Sequence, residues 1–103
     1  MDYTSVTAAE VDAAGLDDWR YDDTTIRAAF RAPDYVAAAR MIVEIAEAAE
    51  AECHHPVIEL RYPGVAVVAL STHETGGLTT VDLSLARTIS ALAAAADALA
   101  EVP

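Results

Sequence analysis

The chain has little of what would commit it to several large classes of protein. Of its 103 residues one is cysteine (Cys53), three are histidine, six are basic, and aromatic residues make up 6%. A single thiol rules out an internal disulfide framework and fits a reducing compartment. Six basic residues against seventeen acidic ones give a net charge of −11 and a pI near 4.3. A phosphate backbone would be repelled by that field, and no basic stripe offsets it, so nucleic acid is excluded as a partner. The acidity serves solubility. No apolar run approaches the ~20 residues that span a bilayer. The longest candidate, the alanine-rich C-terminal stretch, is broken by Arg87, Thr88, Ser90 and Asp97. The opening "MDYTSVTAAEVDAAG" has neither the basic nor the apolar region of a signal peptide. The expectation is a soluble, cytoplasmic protein with no membrane or nucleic-acid partner.

What is present is a chain of one domain, residues 1–103, long enough to bury roughly two-thirds of its unfolded surface. Hydrophobic residues reach 54%, with alanine the main contributor, which predicts a tight core and close helix packing. Thr7 to Ala14 is a helix with Thr7 as cap, Glu10 at the capping-box position and Gly15 closing it. "WRYDDTTIRAAFRA" alternates, with Trp19 and Tyr21, then Ile26, Ala28 and Phe30, on one face and the polar "DDTT" as a hairpin loop. Pro33 opens a second helix at its first turn, running to about Glu50. Tyr35, Ala38, Ile42, Ile45 and Ala49 form its apolar stripe, opposite Arg40, Glu44 and Glu47.

A second hairpin follows in "VIELRYPGVAVVAL", with Ile58, Leu60 and Tyr62 facing one way, Val57, Glu59 and Arg61 the other, and Pro-Gly at the turn. Thr79 and Asp82 form a capping box for the last helix, Leu78 and Leu83 a hydrophobic staple, and Leu85, Ile89, Leu92, Ala96 and Leu99 its buried stripe. The order helix, hairpin, helix, hairpin, helix predicts an α+β domain, an antiparallel sheet with helices over one face. There is no βαβ unit and no phosphate-cradling glycine loop; "TGGL" lacks the required spacing.

The three histidines are placed by this topology. His54 and His55 stand at the entry to the second hairpin and His73 at its exit. Antiparallel pairing brings those ends together, so the three imidazoles are expected at one end of the sheet. Adjacent residues in a regular strand point to opposite faces, but Pro56 keeps His55 extended and removes a ladder donor. The corner therefore precedes regular pairing, and two adjacent rings can line one cleft. Imidazole titrates near neutrality, so such a cluster can offer an acid and a base together.

Other readings of these residues stand beside that one. Cys53, His54, His55 and His73 are all competent zinc ligands, yet three consecutive residues rarely satisfy a tetrahedron and the usual ligand spacings are missing, so no metal is expected. Asp82 is explained by its capping box with Thr79 alone. Cys53 has no activating base on its own face and reads as packing, while Trp19 and Phe30 read as core. Glu50, at the helix end, is solvated but near enough in sequence to touch the cleft.

The combination "HHP" at 54–56, Tyr62, "STH" at 71–73 and "GGLTTVD" at 76–82 resembles the pterin-4a-carbinolamine dehydratases, also called 4a-hydroxytetrahydrobiopterin dehydratases. The resemblance extends to "LDDWRYDDTTIRAAFRAPDY" and "IAEAAEAECHHP", and so over nearly the whole chain. It implies a four-stranded antiparallel sheet with three helices packed on one face, and homodimers through sheet edges or homotetramers through helices. The implied reaction removes water from 4a-hydroxytetrahydropterin to give quinonoid dihydropterin, a recycling step after aromatic amino-acid hydroxylation, without metal or cofactor. His54, His55 and His73 become the catalytic set, with Asp82, Thr72 and Glu50 supporting or binding substrate. His54 and His73 are expected to flank the reacting centre, with His55 completing the site through a hydrogen bond. The rival, from a different class, is a weakly active or idle relative acting as a dimerisation or assembly partner; retention of all three histidines favours the enzyme.

Two departures from the family pattern are visible. Val57 stands where an acidic residue is more usual, and the stretch from Tyr62 to His73 is one residue longer, with Pro63-Gly64 at the turn. A three-residue turn or a bulge would absorb the extra residue and keep Ala66, Val68 and Leu70 facing inward. Without it, a register slip would turn His73 away from the cleft.

Overall fold

The structure, a computed structural model, describes residues 3–22 and 24–101. Its elements in chain order are α1 (Ala8–Ala13), β1 (Arg20–Asp22), β2 (Thr25–Arg31), α2 (Tyr35–Ala51), β3 (Val57–Arg61), β4 (Val65–Leu70), α3 (Thr80–Ala95) and β5 (Leu99–Glu101). The expected hairpins and helices are present, and all pairings in the sheet are antiparallel, in the order β1-β2-β4-β3. The four expected strands are joined by a short fifth: β5 lies on the same edge of β2 as β1, pairing with Ala29–Arg31 where β1 pairs with Thr25–Arg27. The Asp23 part of the expected "DDTT" loop lies outside the described residues.

Local chemistry accounts for where the helices begin. Thr7 and Glu10 form a reciprocal capping box at α1, the Thr7 N–H donating to Glu10 and the Glu10 N–H to Thr7. At α2 the cap is Asp34, whose Oδ1 accepts from the Ala37 N–H at 2.8 Å. Pro33 therefore sits before the cap, not in the first helical turn, because the aspartate is the better N-cap group. Tyr35, expected in the buried stripe, is exposed. The helix starts at the rim of the sheet, beside the Tyr62–Gly64 loop, and the stripe begins at Ala38 and continues through Met41, Ile45 and Ala49.

Both long helices end in the same way. Cys53 has φ 51°, the His54 N–H donates to the Ala49 carbonyl at 3.0 Å and the Cys53 N–H to that of Glu50 at 3.0 Å. Asp97 has φ 56°, with Ala98 N–H to Ala93 O at 2.9 Å and Asp97 N–H to Ala94 O at 3.2 Å. These are Schellman motifs, each with a non-glycine residue in the left-handed position. The second one turns the chain out of α3 before Leu99. That residue, expected in the helix stripe, is 73% exposed and opens β5. An L-residue in this conformation is strained, so Cys53→Gly is expected to stabilise the protein by about 0.5–1 kcal/mol, read as a higher urea midpoint.

Arg61 pairs with Val65, so Tyr62, Pro63 and Gly64 form a three-residue loop that absorbs the extra residue. Tyr62, expected to face the same way as Ile58 and Leu60, lies in that loop beyond the last strand pair and is exposed. Gly64 is required by close approach: a Cβ there would lie 2.6 Å from the Asp34 carbonyl oxygen. With the register kept, Ala66, Val68 and Leu70 face the helices together with Ile26, Ala28 and Phe30 and pack against Met41, Ile45, Leu85 and Ile89. Each large side chain buried there contributes ~1.5–3 kcal/mol, while Ala28, Ala38, Ala66 and Ala86 let the layers approach. Trp19 closes the core, its ring edge-on to Phe30 and its Nε1–H donating to Ser90 Oγ at 2.9 Å. On the opposite, helix-free face Ala29, Val65 and Val67 are nonetheless buried. They floor a groove walled by Arg27, Arg61, Tyr62 and Glu101.

Candidate active site

The sheet register fixes one functional end. Val57 of β3 and Arg27 of β2 both pair with Ala69, and Ile26 pairs with Leu70. One row further out, Thr25, Ser71 and His55 come to the same end of the sheet, with His73 just beyond β4. His73 begins a tight loop closed by a bridge between Thr72 and Gly77, with the Gly76 N–H donating to the His73 carbonyl at 3.2 Å and Gly76 itself at φ 68°. His55 and His73 line a single cavity of about 270 Å³ on the helix-free face, with Thr25, Arg27, Val57, Glu59 and Ser71 among its other walls.

His54 lies elsewhere. The Schellman turn at Cys53 sends it inward, where it is buried, while His55 emerges on the surface. The segment Thr4–Val6 closes over this region, bonding to Leu78 and Thr80, and Tyr3 stacks at a tilt on the His54 ring with centroids 6.0 Å apart. The expected pairing of His54 with His73 across the cavity is thus not what the fold presents; His55 and His73 are the two imidazoles on the cavity wall.

Asp82 explains why His54 is where it is. This carboxylate is fully buried. Its Oδ1 accepts from His54 Nε2 at 2.6 Å, and its Oδ2 accepts from Thr72 Oγ1 at 2.6 Å and from the Thr79 N–H at 2.9 Å. The Thr72 and Thr79 hydroxyls are themselves 2.9 Å apart. Asp82 is therefore both the helix cap and the partner of an imidazole, whose proton it fixes on Nε2. His54 precedes His55 and Thr72 precedes His73, so one carboxylate clamps the two segments that carry the cavity histidines. Glu50 does reach the site: its Oε1 accepts from His55 Nε2 at 2.5 Å on the exposed side. Cys53 is exposed.

Arg27, Glu59, Thr25 and Ser71 line the cavity without having been expected there. Strand alternation places them on one face at the histidine end, which is a legible signal once the helix-free face is known to carry the site. Val57 supplies apolar wall to the cavity. Glu59, two residues on and on the same face, brings a carboxylate into the same cavity, its Oε2 accepting from Arg61 at 3.0 and 2.8 Å.

Fold and site together define a small α+β domain in which two imidazoles line one cavity and a buried carboxylate bonds to the residue before each, a class with groups able to exchange protons. The family model for pterin 4 alpha carbinolamine dehydratase matches residues 4–92. A Mycobacterium leprae protein assigned as a pterin-4-alpha-carbinolamine dehydratase is 37% identical over 91 residues, 86% of this chain and 96% of that one. A similarly assigned protein of Acidobacterium capsulatum is 40% identical over 85 residues, covering 82% and 91%. The crystal structure of a transcriptional coactivator/pterin dehydratase from Brucella melitensis superposes with a TM-score of 0.80 at 29% identity, over 87% of this chain and 99% of that one. The chain belongs to the pterin-4a-carbinolamine dehydratase family of hydro-lyases.

Proposed function

We propose that the protein dehydrates 4a-hydroxytetrahydropterin to quinonoid dihydropterin by histidine acid–base catalysis. The carrying observation is that His55 and His73 line one cavity from opposite ends of a hairpin, with their preceding residues tied to one carboxylate. In the reaction the C4a–O bond breaks as the hydroxyl takes up a proton and leaves as water. The N5–H proton is lost and its electron pair forms the N5=C4a double bond. The change is redox-neutral, so one proton donor and one acceptor suffice. Two imidazoles in opposite protonation states supply them, each transfer being worth roughly 10²–10⁴ in rate. His54 takes part from outside the cavity wall, bonded to Asp82 and holding the chain directly before His55, while Glu50 orients the His55 ring.

The cavity is slightly smaller than the roughly 300–1,000 Å³ of typical small-molecule sites, which suits a bicyclic ring left open to solvent on one side. Among the described residues no strand lies beyond β3 in the sheet, which supports assembly as a homodimer through that edge or as a homotetramer; sedimentation velocity reads the mass directly. The decisive assay follows dehydration of freshly generated 4a-hydroxytetrahydropterin. At least a ~10²-fold acceleration over buffer is expected. A rate equal to the uncatalysed one would sink the enzyme reading and leave that of an assembly partner.

A further inference from the structure

We infer that Arg20 and Arg27 form a subsite for an anionic substituent on the pterin, a phosphate ester or a carboxylate; this rests on the dehydratase reading above. All six basic residues of the chain are arginines, set against seventeen acids. Four of the six collect on the helix-free face of the sheet. Arg20 pairs directly with Arg27 across β1 and β2, Arg31 follows on the same face of β2, and Val65, the partner of Arg31, is also the partner of Arg61.

Two of these four are already neutralised. Arg31 Nε lies 3.1 Å from Glu101 Oε2, and Arg61 Nη2 lies 2.8 Å from Glu59 Oε2. Among the described residues Arg20 and Arg27 form no ion pair, although Asp22 lines the same recess. Like charges directly opposite on neighbouring strands destabilise a sheet. A chain with so few cations has no structural reason to place two of them in that relation, and a bound anion would remove the penalty.

The position fits the chemistry of the substrate. Arg27 lines both the cavity that holds His55 and His73 and the recess shared with Arg20. In a pterin the side-chain carbon C6 is bonded to N5, one of the two reacting atoms. The first atom of a substituent on C6 therefore lies two bonds from N5, and with N5 beside the histidines the substituent falls within reach of the cavity wall that Arg27 supplies. Guanidinium groups bind phosphate and carboxylate through paired N–H donors. The molecule as a whole, at net charge −11, would turn an anion away, so a preference for an anionic substrate requires cations placed beside the cavity, and Arg20 and Arg27 are the two there without an acidic partner among the described residues.

The test compares kcat/KM for 6-methyl, 6-carboxyl and 6-(phosphooxymethyl) forms of the 4a-hydroxytetrahydropterin. Wild type is expected to favour at least one anionic form over the methyl form by about 10-fold, chiefly through KM, and the preferred form identifies the anion. Arg27→Gln and Arg20→Gln should bring the ratio towards one, Arg27→Lys should restore part of it, and ionic strength of about 0.5 M should shrink it. A wild-type ratio near one for both anionic forms, or a ratio untouched by Arg27→Gln, would overturn the inference. Fluorescence titration with the corresponding oxidised pterins gives the same ratio from binding alone. Selective, Arg27-dependent binding in a protein that dehydrates nothing would uphold the subsite while defeating the catalytic reading; absence of selectivity in a protein that does catalyse would do the reverse.

Discussion

His73→Ala is expected to lower kcat for dehydration by roughly 10²–10⁴-fold while leaving the urea midpoint close to that of wild type. His73 is exposed, opens a tight loop through its backbone, and its side chain makes no hydrogen bond among the described residues. Removing the ring therefore subtracts a proton donor or acceptor from the cavity and little else. The loss should fall on kcat and kcat/KM together, as for an interaction made in the transition state. His55→Ala should behave similarly, because among the described residues its one side-chain hydrogen-bond partner is the exposed Glu50. If the two act as one acid–base unit, the double variant will be scarcely slower than the worse single one. His54→Ala is the instructive contrast. It strips Asp82 of a buried donor, so its loss of rate should come with a loss of stability. A His73→Ala protein as fast as wild type would remove the acid–base pair from the proposed mechanism.

Much of this arrangement is legible in the residues. Capping boxes at Thr7 and Thr79 mark two helix starts, and alternation in "VIELRYPGVAVVAL" gives the register that brings the histidines to one end. What escaped depended on single backbone conformations. Whether Cys53 takes a left-handed φ decides that His54 turns in and His55 out, and cysteine carries no signal for that conformation. Asp97 did carry a weak one, since aspartate tolerates the left-handed region better than most residues. The alanine-rich pattern on either side nonetheless reads as unbroken helix, and β5 was hidden with it. The role of Asp82 was half visible: a capping box predicts its bond to the Thr79 N–H, but the bonds to His54 and Thr72 join residues 28 and 10 positions apart, which only the closed fold makes neighbours. Arg27 and Glu59 were visible as one face of two strands; which face holds the site is set by where the helices pack.

Asp82→Ala should be the most damaging single change to stability, by about 3–5 kcal/mol. The carboxylate is fully buried and takes hydrogen bonds from four donors, the fourth a long one from the Thr79 hydroxyl at 3.5 Å. Without it the His54 ring N–H and the Thr79 N–H lose their acceptor and the Thr72 and Thr79 hydroxyls are left to bond only each other, and an unsatisfied buried group costs ~1–3 kcal/mol. Set against a total of roughly 5–15 kcal/mol for a domain, that brings the variant near the threshold of folding. Trp19, the sole tryptophan and a buried one, reports the transition by fluorescence. Asp82→Asn separates the clamp from the fold. An amide is the same size but presents one acceptor and one donor group, so with its oxygen turned to the threonine pair its N–H faces His54 Nε2, which can accept it only if the ring proton moves to Nδ1. That variant is expected to stay folded with a lowered midpoint, and to lose kcat well beyond what the stability change explains, because the segments bearing His55 and His73 are no longer held to a common point. Full activity in a folded Asp82→Asn protein would mean that the cavity histidines keep their spacing without the clamp. Wild-type stability in Asp82→Ala would mean that the buried network contributes nothing net to the fold.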